Sequence, residues 1–242
     1  MTHPAPHIPL AITINGDCAV DIRFSGKPCK ALSRTIIGLR AALLNEVHPG
    51  IIDIIPAYQC LTVIFNPSLW DHKTLYQLLT KTTEDFLNNP APFTSRPRIV
   101  RIPVCYEEGF SPDLEALSEH TKLSSQEIIK RHTAQRYLVH MLGFTPGFLY
   151  LGGLDPKLYC PRKETPRTRI PAGAVGIGGE QTGIYPQATP GGWQIIGQTP
   201  LSLFQPAEPS PFIAAPLDEI EFYAIDSQQF HILSQSTKSS SP

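Results

Sequence analysis

The sequence predicts an α+β domain followed by a closed β-barrel domain, and three observations carry that expectation. Two strand pairs, each followed by an amphipathic helical period, fill residues 10–87. The stretch NNPAPFTSRPR is rich in Pro, Asn and Ser and reads as a linker near residues 88–98. From residue 148 onward no long helical period remains, only short apolar runs broken by Gly and Pro, as a closed β fold requires. The expected division is residues 1–95, residues 96–234 and a flexible polar tail over residues 235–242.

In chain order, LAITINGDCAVDIRF places an Asn-Gly turn signal between two runs, the second alternating Val20, Ile22 and Phe24 as a half-buried hairpin does. Residues 30–47 carry Leu32, Ile36, Leu39 and Leu43 at helical spacing, and His48-Pro49-Gly50 ends the run. Two strand-like runs surround Pro56, and Leu75, Leu78, Leu79, Thr82 and Phe86 share one face of a second helix. The order is ββαββα, with both helices on one face of an antiparallel sheet. Beyond the linker, RIVRIPVCY is a strand, and Ser111 with Pro112 is expected to cap and open a short helix. Ser124-x-x-Glu127 matches a capping box for a helix over residues 125–134, which ends before the strand-like YLVHML.

The totals exclude several function classes. The 242 residues are 17% charged, and Lys+Arg 20 against Asp+Glu 21 leaves a net charge of −1. No basic cluster is interleaved with aromatics, so nucleic-acid binding is not expected. The five cysteines are scattered without a C-x-x-C pair, which suggests reduced thiols and a cytoplasmic protein. The start lacks a basic segment followed by an apolar run, and nowhere do 18 apolar residues follow one another, so neither export nor membrane spanning is expected.

No G-x-S-x-G, H-E-x-x-H or complete S-x-x-K signature is present. Residues 178–183, GGEQTG, share glycine spacing with a phosphate loop, but Ile184-Tyr185 stands where Lys-Ser/Thr is required. The eight histidines lack tight ligand spacing, so no metal site is expected. His132 reads equally as a buried, hydrogen-bonded histidine or as an acid/base group. PRKETPRTRIPAG gathers Arg162, Lys163, Arg167 and Arg169 between prolines: a rigid cationic loop for an anion, or a solvated loop paired locally through Glu164. Phe144, Phe148 and Tyr150 lie among Pro-Gly and Gly-Gly breakers and read as core or as an aromatic platform. The run GIGGEQTGIYPQATPGGWQIIGQ crowds glycine and proline around Gln181, Tyr185, Trp193 and Gln194, the side chains of a small polar-ligand pocket or of a turn-rich corner.

Taken together, MLGFTPGFLYLGGLDPKL, PRKETPRTRIPAGAVGIGGEQTGIYP and PGGWQIIGQTPLSLF resemble the signature of the allophanate hydrolase subunit 1 family, over nearly the whole chain. The resemblance implies a cyclophilin-like β-barrel after the α+β domain. It also implies a homologous-barrel partner (the C-type component) and a third protein (the A-type component), with which such a chain opens the lactam of 5-oxoproline to glutamate. Mg-ATP is the implied co-substrate. The family also includes an inhibitor of a sporulation sensor histidine kinase, so a non-catalytic kinase-binding protein is the alternative. CYEEGF stands in place of a CYGG-type turn, and Pro216-Leu217-Asp218 in place of Pro-Gly-Asp.

A lactam is a poor electrophile because its amide is resonance-stabilised, so phosphorylation of its carbonyl oxygen needs cations and oxyanion donors. For this small acidic cyclic amide, Arg167 and Arg169 are the expected cations, Arg162 a further binding residue, and Gln181 and Tyr185 the donors. His132 is the expected proton shuttle, Phe148 and Trp193 the wall, and Gly178, Gly179, Gly191 and Gly192 the points of close backbone approach.

Overall fold

Apolar side chains at every second position on two central strands, and at every third or fourth on two helices, give residues 10–90 one shared core. A computed structural model describes residues 10–46, 48–90 and 97–239; the segment 91–96 of the expected linker lies outside them. Strands β1 (Leu10–Ile14) and β2 (Ala19–Phe24) precede helix α1 (Lys30–Asn45), and β3 (Ile51–Pro56) and β4 (Cys60–Phe65) precede α2 (His72–Asn88). The four strands form one antiparallel sheet in the order β1-β2-β4-β3. Val20, Ile22 and Phe24 from β2 and Leu61, Val63 and Phe65 from β4 share a core with Leu32, Ile36, Leu39 and Leu43 of α1 and with Leu75 and Leu79 of α2.

The chain divides into two compact units, Met1–Arg96 and Pro97–Pro242. In the second, β5 (Ile99–Cys105) is followed by α3 (Leu114–Thr121), α4 (Ser125–Thr133), β6 (Arg136–Leu142) and β7 (Leu149–Gly152). Then come β8 (Arg167–Ile170), β9 (Ala174–Gly178), β10 (Gln181–Ile184), β11 (Thr189–Gly191), β12 (Gln194–Gln198), β13 (Glu219–Ile225) and α5 (Ser227–Ser239). Seven strands close a barrel in the order β10-β7-β6-β13-β5-β12-β9, while β8 and β11 pair separately. Closure removes the unpaired edges that an open sheet would leave. The interior is filled by alternate residues, Leu149 and Leu151 of β7, Val175 and Ile177 of β9 and Ile220 and Phe222 of β13 among them.

Two local expectations are corrected. Asp113, not Ser111, occupies the N-cap position of α3, and its side chain makes no cap bond because it is engaged elsewhere. Ser111 instead donates to the carbonyl of Tyr106 at 2.8 Å. Helix α5 runs into the segment read as a flexible tail: Asp226 accepts from the Gln229 N–H at 2.7 Å, and Phe230 packs on Phe110 with ring centroids 4.6 Å apart. Its apolar residues, Phe230, Ile232 and Leu233, cluster within four positions and do not repeat at helical spacing along the segment, so no apolar stripe marks the helix in sequence. Leu217, which stands in place of the glycine of a Pro-Gly-Asp turn, has φ 76° and a buried side chain. There the strain of left-handed backbone is offset by apolar burial.

His132, on α4, is fully buried. Thr182 Oγ1 donates to the carbonyl of Gly176 at 3.0 Å, so at 2.9 Å it accepts from His132 Nε2–H. Nδ1 then accepts from the Tyr106 hydroxyl at 2.8 Å, and the ring stacks on Phe222 at 4.7 Å. Burial pushes its pKa down to about 3. The folded protein therefore holds this ring neutral, whereas the unfolded chain takes up a proton below about pH 6.5. Stability from this group is fully present above that pH and is lost as pH falls towards 3. Between pH 7 and 5 the loss should reach roughly 2 kcal/mol, at about 1.4 kcal/mol per pH unit; His140, also held down by burial, adds in the same window. Denaturant unfolding at both pH values checks this: His132→Gln should flatten the pH dependence by about that amount, and an unchanged slope would contradict it.

Candidate functional site

The alternation that fills the barrel also decides what faces outward. On β9 the residues between Val175 and Ile177 and after it are glycines, Gly176 and Gly178, and on β10 Gly183 lies between Thr182 and Ile184. These outward positions lie beneath the Trp193 side chain. A Cβ on Gly178 would stand 2.6 Å from the indole, and one on Gly183 would stand 2.7 Å from the Leu149 carbonyl and 2.9 Å from the indole. Missing side chains on three neighbouring strand positions thus make the seat for one large aromatic.

Around that indole a second apolar cluster forms outside the barrel, from Phe148, Ile170, Ala174, Tyr185, Trp193 and Ile195, with Tyr150 against it. Phe148 meets Trp193 edge to face at 5.5 Å and Tyr185 at 4.9 Å. Phe144 is 61% exposed at the rim and holds φ 65°, an uncommon backbone state for a bulky residue. Together these aromatics wall a cleft of about 270 Å³ whose remaining surface comes from Arg162, Pro166, Pro190, Gly191 and Gly192. This lies at the small end of ligand pockets.

The cleft is sparingly polar. Burial raises the pKa of Tyr185, only partly countered by a hydrogen bond to the Trp193 backbone and by Arg162; burial raises that of Tyr150 as well. Both hydroxyls are protonated donors at neutral pH. The Arg162 guanidinium lies 5.7 Å from the Trp193 ring centroid. Among the described residues no carboxylate forms an ion pair with it.

The loop that carries Arg162 is fastened on both sides. Lys163 N–H donates to the Gly192 carbonyl at 2.7 Å, and Gln194 Nε2 donates to that of Pro161 at 3.1 Å. Asp113, with 2% of its side chain exposed, accepts from Lys163 Nζ at 3.0 Å and from both terminal nitrogens of Arg167 at 2.5 and 2.7 Å. It also accepts from the Ile195 N–H at 2.7 Å. Burial alone would raise the Asp113 pKa, but the Arg167, Ile195 and Lys163 hydrogen bonds outweigh it and hold the carboxyl below its usual value.

Of the residues singled out in the sequence, the structure brings Phe148, Arg162, Tyr185, Gly191, Gly192 and Trp193 together at the cleft. Gly178 lies under the indole, and Gly179 turns the β9–β10 hairpin with φ 66°. His132 is in the barrel interior, Arg167 is turned to Asp113, and Gln181 opens β10 opposite Gly178. None of these three lines the cleft, and Arg169 is exposed on β8. Glu164 makes no ion pair among the described residues, so local pairing through it does not account for the cationic loop. Asp113 escapes a reading of the sequence because its partner Arg167 is 54 residues away, and no local signal links them.

Among the described residues no group of three or more His, Cys, Asp or Glu is placed to hold a metal ion, and no helix is long and apolar enough to cross a membrane.

Residues 10–214 match the family described as carboxyltransferase domain, subdomain C and D. The chain is 40% identical over 223 residues to the B-type component of 5-oxoprolinase from Bacillus subtilis (strain 168), covering 89% of this chain and 93% of that relative. The crystal structure of TTHA0988 is similar at TM-score 0.74 and 33% identity over 86% of this chain, which spans only 40% of that longer chain. The urea amidolyase of K. lactis shares the fold at TM-score 0.80 and 17% identity over 98% of this chain, which spans 16% of it.

The glycine seat has a direct test. Gly178→Ala should cost about 1–3 kcal/mol by overpacking against the indole, although Gly→Ala within a strand ordinarily stabilises. In a Trp193→Ala background the same substitution should cost less than about 0.5 kcal/mol. Additive costs in the double-mutant cycle would show that the indole does not occupy this seat.

Proposed function

The chain belongs to the carboxyltransferase-domain family, subdomain C and D, and we propose that it is the B-type component of a multi-subunit, ATP-dependent 5-oxoprolinase that opens the lactam of 5-oxoproline to glutamate. The likeness to the Bacillus subtilis protein over most of both chains supports the assignment. The observation that carries it at the level of chemistry is the cleft itself: five aromatic side chains around a small space, with one cation that no carboxylate among the described residues neutralises. A small ring bearing an acid matches that combination of apolar wall, hydroxyl donors and positive charge.

The same inventory says what this chain leaves to others. No His, Cys, Lys, Asp or Glu side chain lines the cleft, and burial holds the Tyr150 and Tyr185 hydroxyls protonated. A general base therefore comes from a partner protein. The cleft does not fit a Mg-nucleotide triphosphate, because one arginine faces it and no carboxylate or phosphate-cradling loop lines it. ATP is a substrate handled elsewhere in the assembly, and this chain's part is to bind and orient the ring, to shield it from water and to offer hydroxyl donors to its oxygen. The partners in this reading are the homologous-barrel C-type component and the third, A-type component. In TTHA0988 the matched region is joined to further chain, a covalent parallel to such assembly. The five cysteines, none paired, support a reducing, cytoplasmic setting.

The experiment is reconstitution with each component omitted in turn. Glutamate release and ATP consumption should require all the components, and this chain alone should consume neither 5-oxoproline nor ATP. Undiminished ATP-coupled cleavage without this chain, or no cleavage of 5-oxoproline by the complete set, would overturn the assignment.

A further inference from the structure

We propose that Arg162 is the residue that selects a carboxylate-bearing ring over its uncharged analogue in this cleft, and that Asp113 positions it. The inference deepens the reading above and rests on it for the choice of 5-oxoproline as ligand.

The cationic loop holds three candidates near the cleft, and the structure separates them by what already neutralises each. Lys163 and Arg167 both spend their charge on the buried Asp113. Arg162 alone of the three lines the cleft, and its contact is the face of Trp193 rather than a carboxylate. A guanidinium held over an indole is aimed without being neutralised, since the ring quadrupole orients the cation and leaves its N–H donors for an acceptor.

The geometry then fits the ligand part by part. In this proposal the lactam ring lies against the aromatic wall of Trp193 and Phe148, the hydroxyl of Tyr185 donates to the lactam carbonyl oxygen, and the carboxylate meets the Arg162 fork. Asp113 does not line the cleft. It acts through the loop, clamping residues 163 and 167 on the side of Arg162 towards β8 and tying them to the β12 backbone at Ile195.

The test compares 5-oxoproline with 2-pyrrolidinone, the same lactam without the carboxylate, in the reconstituted complex. The former is read as KM for glutamate release and the latter as a competitive inhibition constant. The wild-type complex should prefer 5-oxoproline by about 30-fold or more, the worth of a charge-assisted pair. Arg162→Ala should raise KM for 5-oxoproline by about that factor, leave kcat within about threefold and leave the 2-pyrrolidinone constant unchanged, while Arg162→Lys should recover part of the preference. Asp113→Asn should shift the same ratio in the same direction with little change in 2-pyrrolidinone binding. An Arg162→Ala complex with unchanged KM, or one that loses both ligands equally, would overturn the inference, as would an Asp113→Asn complex whose ratio stays at the wild-type value. Should the complex not turn over 5-oxoproline at all, the tryptophan fluorescence of the isolated chain carrying Trp70→Phe, which leaves Trp193 as its one indole, titrated with pyrrole-2-carboxylate and with pyrrole decides the inference separately. A carboxylate preference lost in Arg162→Ala supports it, and equal binding of the two rings by the Trp70→Phe chain contradicts it.

Discussion

The outer face of the barrel depends on one contact: the Trp193 indole lying on strand positions that carry no side chain. Gly176, Gly178 and Gly183 bring backbone to within ordinary contact distance of the Trp193 side chain, and no larger residue fits there without displacing it. A tryptophan buried to 4% exposure contributes several kcal/mol of apolar burial, on the order of 150–250 Å² of surface. That stabilisation offsets the entropy these glycines lose on folding. Everything else in the cleft is arranged around this ring. Phe148 and Tyr150 meet its edge, and Arg162 meets its face.

A second constraint keeps the loop opposite in place. Burying a carboxylate such as Asp113 is costly unless its oxygens are fully used, and here two cations and a backbone N–H use them. The arrangement ties the start of α3, the cationic loop and β12 to a single point. It also divides the labour of the cations: two are structural and one faces the cleft. A charge count alone would have treated them alike. Removing one partner of such a buried pair leaves the other uncompensated, so the clamp is specific as well as strong.

Much of the fold could be read from periodicity, because the signal is local. Leu32, Ile36, Leu39 and Leu43 are spaced for one face of a helix and all four are buried, and Ser124 accepts from the Glu127 N–H at 3.2 Å, as its capping box implies. The closed β fold followed from short apolar runs and breakers. The same reasoning explains the glycine-rich run: Val175-Gly176-Ile177-Gly178 is a period-two strand whose outer residue happens to be hydrogen. What sequence could not supply was pairing over distance. Arg167 and Arg162 look equivalent in a basic loop, and only Asp113 tells them apart. His132 left two readings open, and the Tyr106 and Thr182 hydroxyls that engage its nitrogens come from elements far along the chain. Helix α5 escaped because its apolar residues do not repeat at helical spacing and the contact of Phe230 with Phe110 spans a long stretch of chain.

The cleft brings together an aromatic wall, hydroxyl donors and one cation over the Trp193 ring, and in the function proposed above its part is to bind the ring. The most direct measurement is a crystal structure of the assembled complex with 5-oxoproline bound. The account requires the ring against Trp193, with its carboxylate within hydrogen-bond distance of Arg162. Density for the ligand elsewhere, with the cleft filled by unrelated packing, would contradict it.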